Sequence, residues 1–362
     1  MPRDIDLVLI TGAGASCSFG NARTGKSPRL PLMAEWSNSL VAALGKRDFY
    51  LRELVGLDEN LDGPQFEERL GEFLTMARHF PKTARLMALS TNFPGMTHLS
   101  AADLTNWHST VQRQMETAMA VIHQSLIDNF GWERIDGQTA TSAYSVLLKH
   151  LGIQRHSRMV YVTTNYDYLG EWALERLGRR PEPGVRRPFN EPGVNTMQVL
   201  DMENLVETVG RGTPVLHLHG GVGWFQQDGQ EPTIINTKQY DASWGTPIVM
   251  LPSIDKDYQA FPIIDVIWQE LTRALRRARR VLVLGHSMND QSLLQALIEH
   301  VQPYDRIAIT VLPDQGTTAS IESALRRLNG ATALPLRFES SPAVAQVQLT
   351  DWHEAVDRAD NE

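Results

Sequence analysis

The stretch LVLITGAGAS, residues Leu7–Ser16, decides the fold, because an apolar run leads directly into a glycine loop. The apolar residues before Thr11 are typical of a short buried strand. Gly12 and Gly14 lack a Cβ atom, so the backbone can turn tightly there and approach a pyrophosphate, while the amide groups that follow point at its negative charge. The stretch therefore predicts the first strand and the phosphate-binding turn of a dinucleotide site.

The glycine loop matches the dinucleotide pattern only in part. The pattern G-x-G-x-x-G has glycine where this chain has Cys17, and Pro28 and Pro31 interrupt the stretch about 20 residues on in which a ribose-binding acid is expected. Three more polar motifs, each at the end of an apolar run, strengthen the prediction. They are Thr163-Thr164-Asn165-Tyr166-Asp167, His217-Leu218-His219-Gly220 and Gly285-His286-Ser287.

Short apolar runs alternate with helical patterns through the second half of the chain. The runs predict buried strands at Met159–Val162, Val215–Leu218, Ile248–Leu251, Val281–Leu284 and Ile307–Leu312. Helices are predicted at Leu169–Leu177, Ile263–Leu275 and Ser292–His300. This alternation predicts an α/β fold with a doubly wound, Rossmann-like, mostly parallel sheet that is covered on both faces.

A helical region separates the glycine loop from the second strand. Apolar residues recur at helical spacing there, and helices are predicted to start at Asp62 and at Ser100. We therefore predict a helical insertion lobe within a discontinuous nucleotide-binding domain. The predicted parts are residues 1–31 and 137–340 for the nucleotide-binding domain, 32–136 for the helical insertion lobe and 341–362 for a C-terminal tail.

The composition excludes several classes of protein. The chain is 42% hydrophobic and 21% charged, and it has no apolar stretch near the about 20 residues of a membrane span. It starts without a basic and apolar leader, which predicts a cytoplasmic protein. A net charge of −8 argues against direct nucleic-acid binding. The single cysteine, Cys17, excludes an internal disulfide and a zinc ribbon of several cysteines.

A second glycine-containing segment matches a different motif. Residues Gly20–Ser27, GNARTGKS, fit the G-x-x-x-x-G-K-S pattern of nucleoside triphosphatases. That pattern needs a strand that ends at its first glycine and a helix that begins at its lysine. Here the predicted strand ends near Ile10, and Pro28 interrupts any helix that begins at Lys26. We interpret the segment as a polar loop close to the glycine turn.

The ordered motifs resemble those of the sirtuin superfamily. The resemblance is closer to a sirtuin-like branch found in bacterial defence and NAD-degrading proteins than to the zinc-containing protein deacylases. Gly12–Ser16 resembles the first glycine motif, Thr163–Asp167 the T-x-N-x-D motif and His219-Gly220 the H-G motif. Gly285-His286-Ser287 resembles the later G-x-S segment beside the cofactor ribose, and Asp290 follows it as in similar members of that branch.

The resemblance implies an NAD+ glycohydrolase that cleaves NAD+ to nicotinamide and ADP-ribose. Asn165 would hold the nicotinamide ribose and a water, and His219 would act as a neutral base. NAD+ is the implied substrate, and no zinc or other metal is expected. The residues implied to bind NAD+ are Gly12, Ala13, Gly14, Ala15, Ser16, Thr163, Thr164, Asp167, Gly285, Ser287 and Asp290.

Other interpretations remain open at this point. A protein deacylase is one alternative, although the four-cysteine zinc ribbon of deacylases is missing, and a noncatalytic NAD or ADP-ribose sensing module is another. Asn165 could simply cap the following helix, and His219 could be a buried histidine at a strand end. His217, His219 and His286 could together ligate a metal, but no supporting carboxylate or cysteine is evident.

An enzyme that consumes NAD+ must be inactive in healthy cells, so its assembly state is the expected switch. We expect a homo-oligomer and a separate partner protein, because the residues after Leu312 leave little room for a sensing domain. By resemblance in architecture, a HerA-type ATPase is the first expected partner and a short Argonaute-like protein the second. We expect the helical insertion lobe to gate the site, because it leaves and rejoins the nucleotide fold beside it.

Overall fold

The computed structural model describes residues 4–17, 33–58, 61, 63–90, 101–131, 145, 148–149, 152–153, 156–186, 197–227, 229–235, 238–250, 261–286, 288–300, 306–311 and 332–335. Among these residues, no helix is both long enough and apolar enough to cross a membrane.

A parallel sheet forms the centre of the described structure, and its strands follow an order that differs from their order in the chain. From edge to edge the strands are β12 (Thr332–Pro335), β11 (Arg306–Val311), β10 (Arg280–Leu284), β1 (Leu7–Thr11), β2 (Met159–Thr163), β6 (Thr213–His217) and β3 (Pro181–Glu182). Every paired neighbour in this sheet is parallel. The predicted doubly wound, Rossmann-like α/β fold is confirmed.

Helices connect and cover these strands. Their bounds are α1 (Ala13–Cys17), α2 (Met33–Arg47), α3 (Phe49–Val55), α4 (Gly63–Ser90), α5 (Ala101–Phe130), α6 (Leu169–Arg176), α7 (Pro262–Arg277) and α8 (Gln291–His300). Short 3-10 turns lie at Leu205–Thr208 and Ala242–Trp244. The helices predicted near 169–177, 263–275 and 292–300 are confirmed, and α4 and α5 begin one residue after the predicted starts.

A second, antiparallel sheet lies beside the parallel one in the chain order and was not predicted; two of its strands precede β6 and three follow it. Its order is β4 (Val185–Arg186), β5 (Met197–Leu200), β8 (Thr233–Ile235), β7 (Gly220–Gln226) and β9 (Thr246–Val249). The prediction that the apolar run near 248–251 joins the parallel sheet is wrong, because β9 pairs antiparallel with β7. An apolar run indicates a buried strand, but the run itself does not specify the strand with which it pairs.

The central strands of the parallel sheet are buried on both faces. All residues of β1, β2 and β6 are buried, as expected for strands covered on both sides. Val8 and Ile10 lie on the same face of β1, where they belong to one apolar core with Ile264 and Leu271 of α7. Burial of such apolar area is the main term that stabilises the fold.

The helices between β1 and β2 have a core of their own. Trp36 of α2 is fully buried and packs edge-to-face against Phe66 of α4 and Phe130 of α5. The same cluster includes Tyr166, which follows β2, and Val222 of β7. The helical region is thus packed against the nucleotide fold through shared apolar residues. The division into domains at residues 31 and 137 stays a prediction.

Candidate functional site

The carboxyl ends of four neighbouring strands lie side by side. Thr11 at the end of β1 is level with Leu284 of β10 on one side and Thr163 of β2 on the other, and Thr163 is level with His217 of β6. From β1 the chain first adds strands on one side and later returns to add β10 on the other. Ligands of open α/β sheets bind at the carboxyl edge, where the strand order reverses in this way.

The residue after β1 must be glycine because another loop crosses directly above it. A Cβ atom at Gly12 would lie 2.8 Å from the carbonyl oxygen of Gly285 and 2.8 Å from Cα of His286. The Gly12 amide also donates to the carbonyl of Leu284 at 3.0 Å. The first glycine motif therefore packs against the later G-x-S segment, as expected for two motifs of the same binding site.

Asn165 lies in the turn between β2 and α6 and is 7% exposed. Its side-chain amide donates to the carbonyl of Gly12 at 3.0 Å and to Oγ of Ser16 at 2.8 Å. Its backbone amide donates to Oγ1 of Thr163 at 3.0 Å. The alternative in which Asn165 caps the following helix is wrong, because its carboxamide points to the glycine turn. That carboxamide is held at the junction of the first two motifs.

Asp167 performs the capping role instead. Its Oδ1 atom accepts from the backbone amide of Leu169 at 2.9 Å and from the hydroxyl of Ser16 at 3.2 Å. Burial raises the pKa of Asp167 to about 6, although these two hydrogen bonds and nearby His217 favour its charged form. The Asp167 carboxyl therefore joins the glycine motif to the start of α6.

His219 follows β6, and its ring is held by a carboxylate. Nε2 of His219 lies 2.9 Å from Oδ2 of Asp290, and both side chains are less than a tenth exposed. The other oxygen of Asp290 accepts from the backbone amides of Ser292 and Leu293 in the first turn of α8. Asp290 is thus fixed by a helix start and in turn orients His219, a contact that the sequence did not reveal.

The turn that carries His219 depends on the glycine after it. Gly220 has a φ of +71°, and a Cβ atom there would lie 2.0 Å from the carbonyl oxygen of Ile248. The carbonyl of His219 accepts from the amide of Met250 at 2.8 Å. The glycine of the H-G motif is therefore needed so that β9 can pass close to the backbone next to His219.

A buried pair of ionisable side chains lies beside this edge. Nε2 of His217 is 2.5 Å from Oε1 of Glu171, and the two side chains are 0% and 8% exposed. Nδ1 of His217 faces the carbonyl of Asn165 at 3.4 Å. The sequence analysis missed Glu171. Its signal was the position three residues before Leu174, on the same buried stripe of α6, where a carboxylate needs a partner.

The predicted site residues that the structure describes gather at this edge. Gly12, Ala13, Gly14, Ala15 and Ser16 form the turn after β1 and the short helix α1. Thr163 ends β2 and Thr164 follows it, and the amide of Thr164 donates to the carbonyl of Thr11 at 3.0 Å. Gly285 follows β10 directly. Ser287 and the GNARTGKS segment with Lys26 lie outside the described residues.

Histidine side chains at this edge each have a contact within the protein. His217 faces Glu171, His219 faces Asp290, and Nδ1 of His286 accepts from the amide of Met288 at 2.9 Å. The described residues contain no group of three or more His, Cys, Asp or Glu side chains placed to hold a metal ion. The expectation that the protein needs no zinc stays a prediction.

Residues 159–328 match the family model of the SIR2-like domain. This part of the chain belongs to the sirtuin superfamily. The matched residues include Asn165, His219 and Asp290. The Gly12 turn precedes them in the chain, and the fold brings it next to Asn165. The resemblance inferred from the ordered motifs is confirmed at the level of the superfamily.

Solved structures of Sir2 proteins are among those similar to this sirtuin-like chain. One is the crystal structure of a Sir2 homologue–NAD complex, with 13% identity and a TM-score of 0.39, covering 97% of this chain and 90% of that one. Another is a mutant Sir2 homologue in complex with 2′-O-acetyl ADP ribose, with 16% identity and a TM-score of 0.38, covering 97% and 92%. A search of curated proteins gave no match.

Proposed function

We propose that the chain is an NAD+ glycohydrolase that converts NAD+ and water into nicotinamide, ADP-ribose and a proton. The observation that carries the proposal is the meeting of two groups at the carboxyl edge of the sheet. One is the Asn165 carboxamide held against Gly12, and the other is His219 backed by Asp290. Membership of the sirtuin superfamily supports NAD+ as the substrate.

The proposed reaction makes modest demands on the protein. The nicotinamide nitrogen of NAD+ is already positively charged, so it leaves with the electron pair of the C1′–N bond as a neutral molecule and needs no general acid. The oxygen of a water forms the new bond to C1′, and one of its protons must be removed. A side-chain amide that places the water and a base that takes its proton meet these demands.

Asn165 is suited to holding the ribose or the water. Both of its described side-chain hydrogen bonds are donated by the amide nitrogen, to Gly12 and Ser16. No hydrogen bond among the described residues uses its Oδ1 atom, which can therefore accept from a ribose hydroxyl or a water. A fixed carboxamide loses little freedom when it binds the reacting groups, and such preorganisation favours catalysis.

His219 is suited to the role of base because Asp290 orients its ring. A carboxylate on Nε2 fixes the ring position and stabilises the imidazolium that forms when the other nitrogen takes a proton. In this proposal Asp290 acts through His219 rather than on the ribose. Beside this role, a contact of Asp290 with NAD+ stays a prediction, as do the NAD+-binding roles of the other residues from Gly12 to Ser287.

In the cell the proposed enzyme is an antiphage-defence effector that depletes NAD+ when a partner activates it. Its proposed assembly is a homo-oligomer with a HerA-type ATPase or, second, a short Argonaute-like protein. Tyr166 supports control through the helical lobe. Its ring packs edge-to-face on Phe130 of α5, its hydroxyl donates to Met250 at 2.9 Å, and it directly follows Asn165. A shift of α5 would therefore move the Asn165 turn.

Incubation of the purified full chain with NAD+ tests the proposal, with nicotinamide and ADP-ribose measured by chromatography. The reaction is run with and without each candidate partner, and with an acetylated peptide in a parallel arm. Equal amounts of nicotinamide and ADP-ribose without peptide support the hydrolase. Product only with peptide, as O-acetyl-ADP-ribose, shows a deacylase, and binding of NAD+ without any product shows a sensing module. Either of these results overturns the proposal.

A further inference from the structure

His217 and Glu171 take no part in the chemistry proposed above, yet they form the shortest contact at the carboxyl edge described here. Glu171 lies in the first turn of α6 and His217 is the last residue of β6, so their contact joins two separate elements. The ring centroids of Tyr168 and Trp224 each lie 5.4 Å from the ring centroid of His217. The pair is enclosed by apolar and aromatic groups.

Such a buried pair adds little to the free energy of unfolding. Both side chains have lost most of their hydration, and the buried Oε2 atom of Glu171 has no hydrogen-bond partner among the described residues. The desolvation of two charges usually offsets their attraction, so that apolar residues of similar size give equal or greater stability. A buried polar pair of this kind therefore needs another explanation. The contact between Nδ1 of His217 and the carbonyl of Asn165 supplies one.

His217 faces two acceptors at once. Nε2 points to the Glu171 carboxylate, and Nδ1 points to the backbone carbonyl of Asn165. An imidazole that faces acceptors with both nitrogens is best satisfied when both carry a proton. From these contacts we infer that the His217–Glu171 pair is a positioning device that holds the Asn165 peptide, and with it the carboxamide, in place. This inference rests on the proposed function for the role of Asn165.

The charges around His217 agree with this arrangement. Burial opposes a charge on the ring, but the Glu171 carboxylate and the Asn165 carbonyl, together with Asp167, raise the pKa of His217 above its ordinary value of 6.5. Tyr168, the other ionisable group against the ring, has a pKa raised by its burial and stays neutral. A raised pKa favours the charged form of the ring, in which both nitrogens can donate.

Two variants separate positioning from folding. Glu171→Gln keeps the size of the side chain and removes its charge, and the double variant Glu171→Leu with His217→Leu replaces the whole pair by apolar groups. Glu72→Gln is the matched control, because it removes the carboxylate of an exposed ion pair with Arg69 in α4. The measurements are kcat and KM for NAD+, the melting temperature, and NMR of the His217 ring nitrogens and the Asn165 side-chain amide.

We expect Glu171→Gln to lower kcat by about 10- to 100-fold with little change in KM, because a small misplacement of a reacting group is that costly. The His217 ring should carry two protons at neutral pH in the wild type and only one in this variant, and the Asn165 amide resonances should shift. The double variant should keep its melting temperature and lose activity to a similar extent. Glu72→Gln should change none of these quantities.

Unchanged kcat in both variants overturns the inference, and so does a loss of activity in the double variant that simply follows a fall in melting temperature. If the wild type leaves NAD+ intact, the proposed function fails on its own. The NMR then decides the inference: Asn165 resonances that shift in Glu171→Gln support positioning, and resonances that stay in place refute it.

Discussion

The carboxyl end and the amino end of the parallel sheet shift the pKa of a carboxyl group in opposite directions. At the carboxyl end Asp167 is fully enclosed, and burial raises its pKa to about 6. At the amino end Asp4 is partly exposed, and its hydrogen bonds with Arg277 lower its pKa to about 2. The surroundings of Asp167 thus disfavour its charged form, whereas those of Asp4 favour it.

The amino end is built as a network of charges that connects separate elements. Arg277 at the end of α7 donates to both oxygens of Asp4 at 2.8 Å and to Glu207 at 2.6 Å. Arg158, just before β2, also donates to Asp4. The network joins the start of β1 to β2 and α7. Such paired charges stabilise the folded state while they stay ionised.

The contrast separates a scaffold from a site. Pairs at the amino end are completed by partners within the protein and partly exposed to water, as expected for groups that secure a fold. The carboxyl end instead collects an amide, buried carboxyls and buried histidines, and the pKa values of Asp167 and His217 are raised there, which is typical of functional sites.

Asn165→Ala and His219→Ala should each lower NAD+ cleavage by about 100-fold or more, because each removes a group that meets the reacting atoms. The melting temperature should change little, since neither side chain supplies much apolar area to the core. Chromatography of nicotinamide under matched conditions measures the effect. Arg277→Ala is the control from the amino end and should keep the activity of the folded protein.

Lys26→Ala should also keep its activity. Loss of cleavage in Lys26→Ala together with full cleavage in the Asn165 and His219 variants would instead show a triphosphate-type loop. A loss of activity in Arg277→Ala as large as in Asn165→Ala would remove the contrast between the two ends of the sheet.

Asp167→Asn should change how stability depends on pH. The folded-state pKa of Asp167 is above its ordinary value of 3.8, so its favourable contribution is full below that value and is lost as pH rises through about 6. Asparagine has no charge to bury and retains an oxygen for the Leu169 and Ser16 bonds. The wild type should therefore lose on the order of 2 to 3 kcal/mol relative to the variant between about pH 4 and pH 7.

Urea unfolding at a series of pH values measures this difference for Asp167→Asn. A difference that stays constant with pH would contradict the raised pKa and would place Asp167 in the same class as Asp4.

Asp4→Asn should show the opposite dependence with a smaller size. The lowered pKa of Asp4 gives stability that is full above its ordinary value of 3.8 and is lost as pH falls toward about 2. Because the carboxyl is partly exposed, the loss at neutral pH should be about 1 kcal/mol. The same urea series measures it, and NAD+ cleavage should be unaffected. A variant that is as stable as the wild type at pH 7 would contradict the prediction.

The sequence predicted much of this fold because its signals are local. The apolar run before Thr11 gives a buried strand, the spacing of apolar residues gives α7, and Gly12 indicates a close backbone approach. The antiparallel partner of β9 was missed because a strand's own residues do not specify which edge it joins.

The sequence alone established the superfamily and the parallel sheet, and it predicted Asn165 and His219 as site residues, since each of these depends on a short motif next to an apolar run. Only the tertiary structure decided that Asp290 holds His219 and that Glu171 meets His217. Those partners lie 71 and 46 residues apart in the chain. Their contacts arise from the strand order of the sheet, and no local pattern of residues encodes a distance between separate elements.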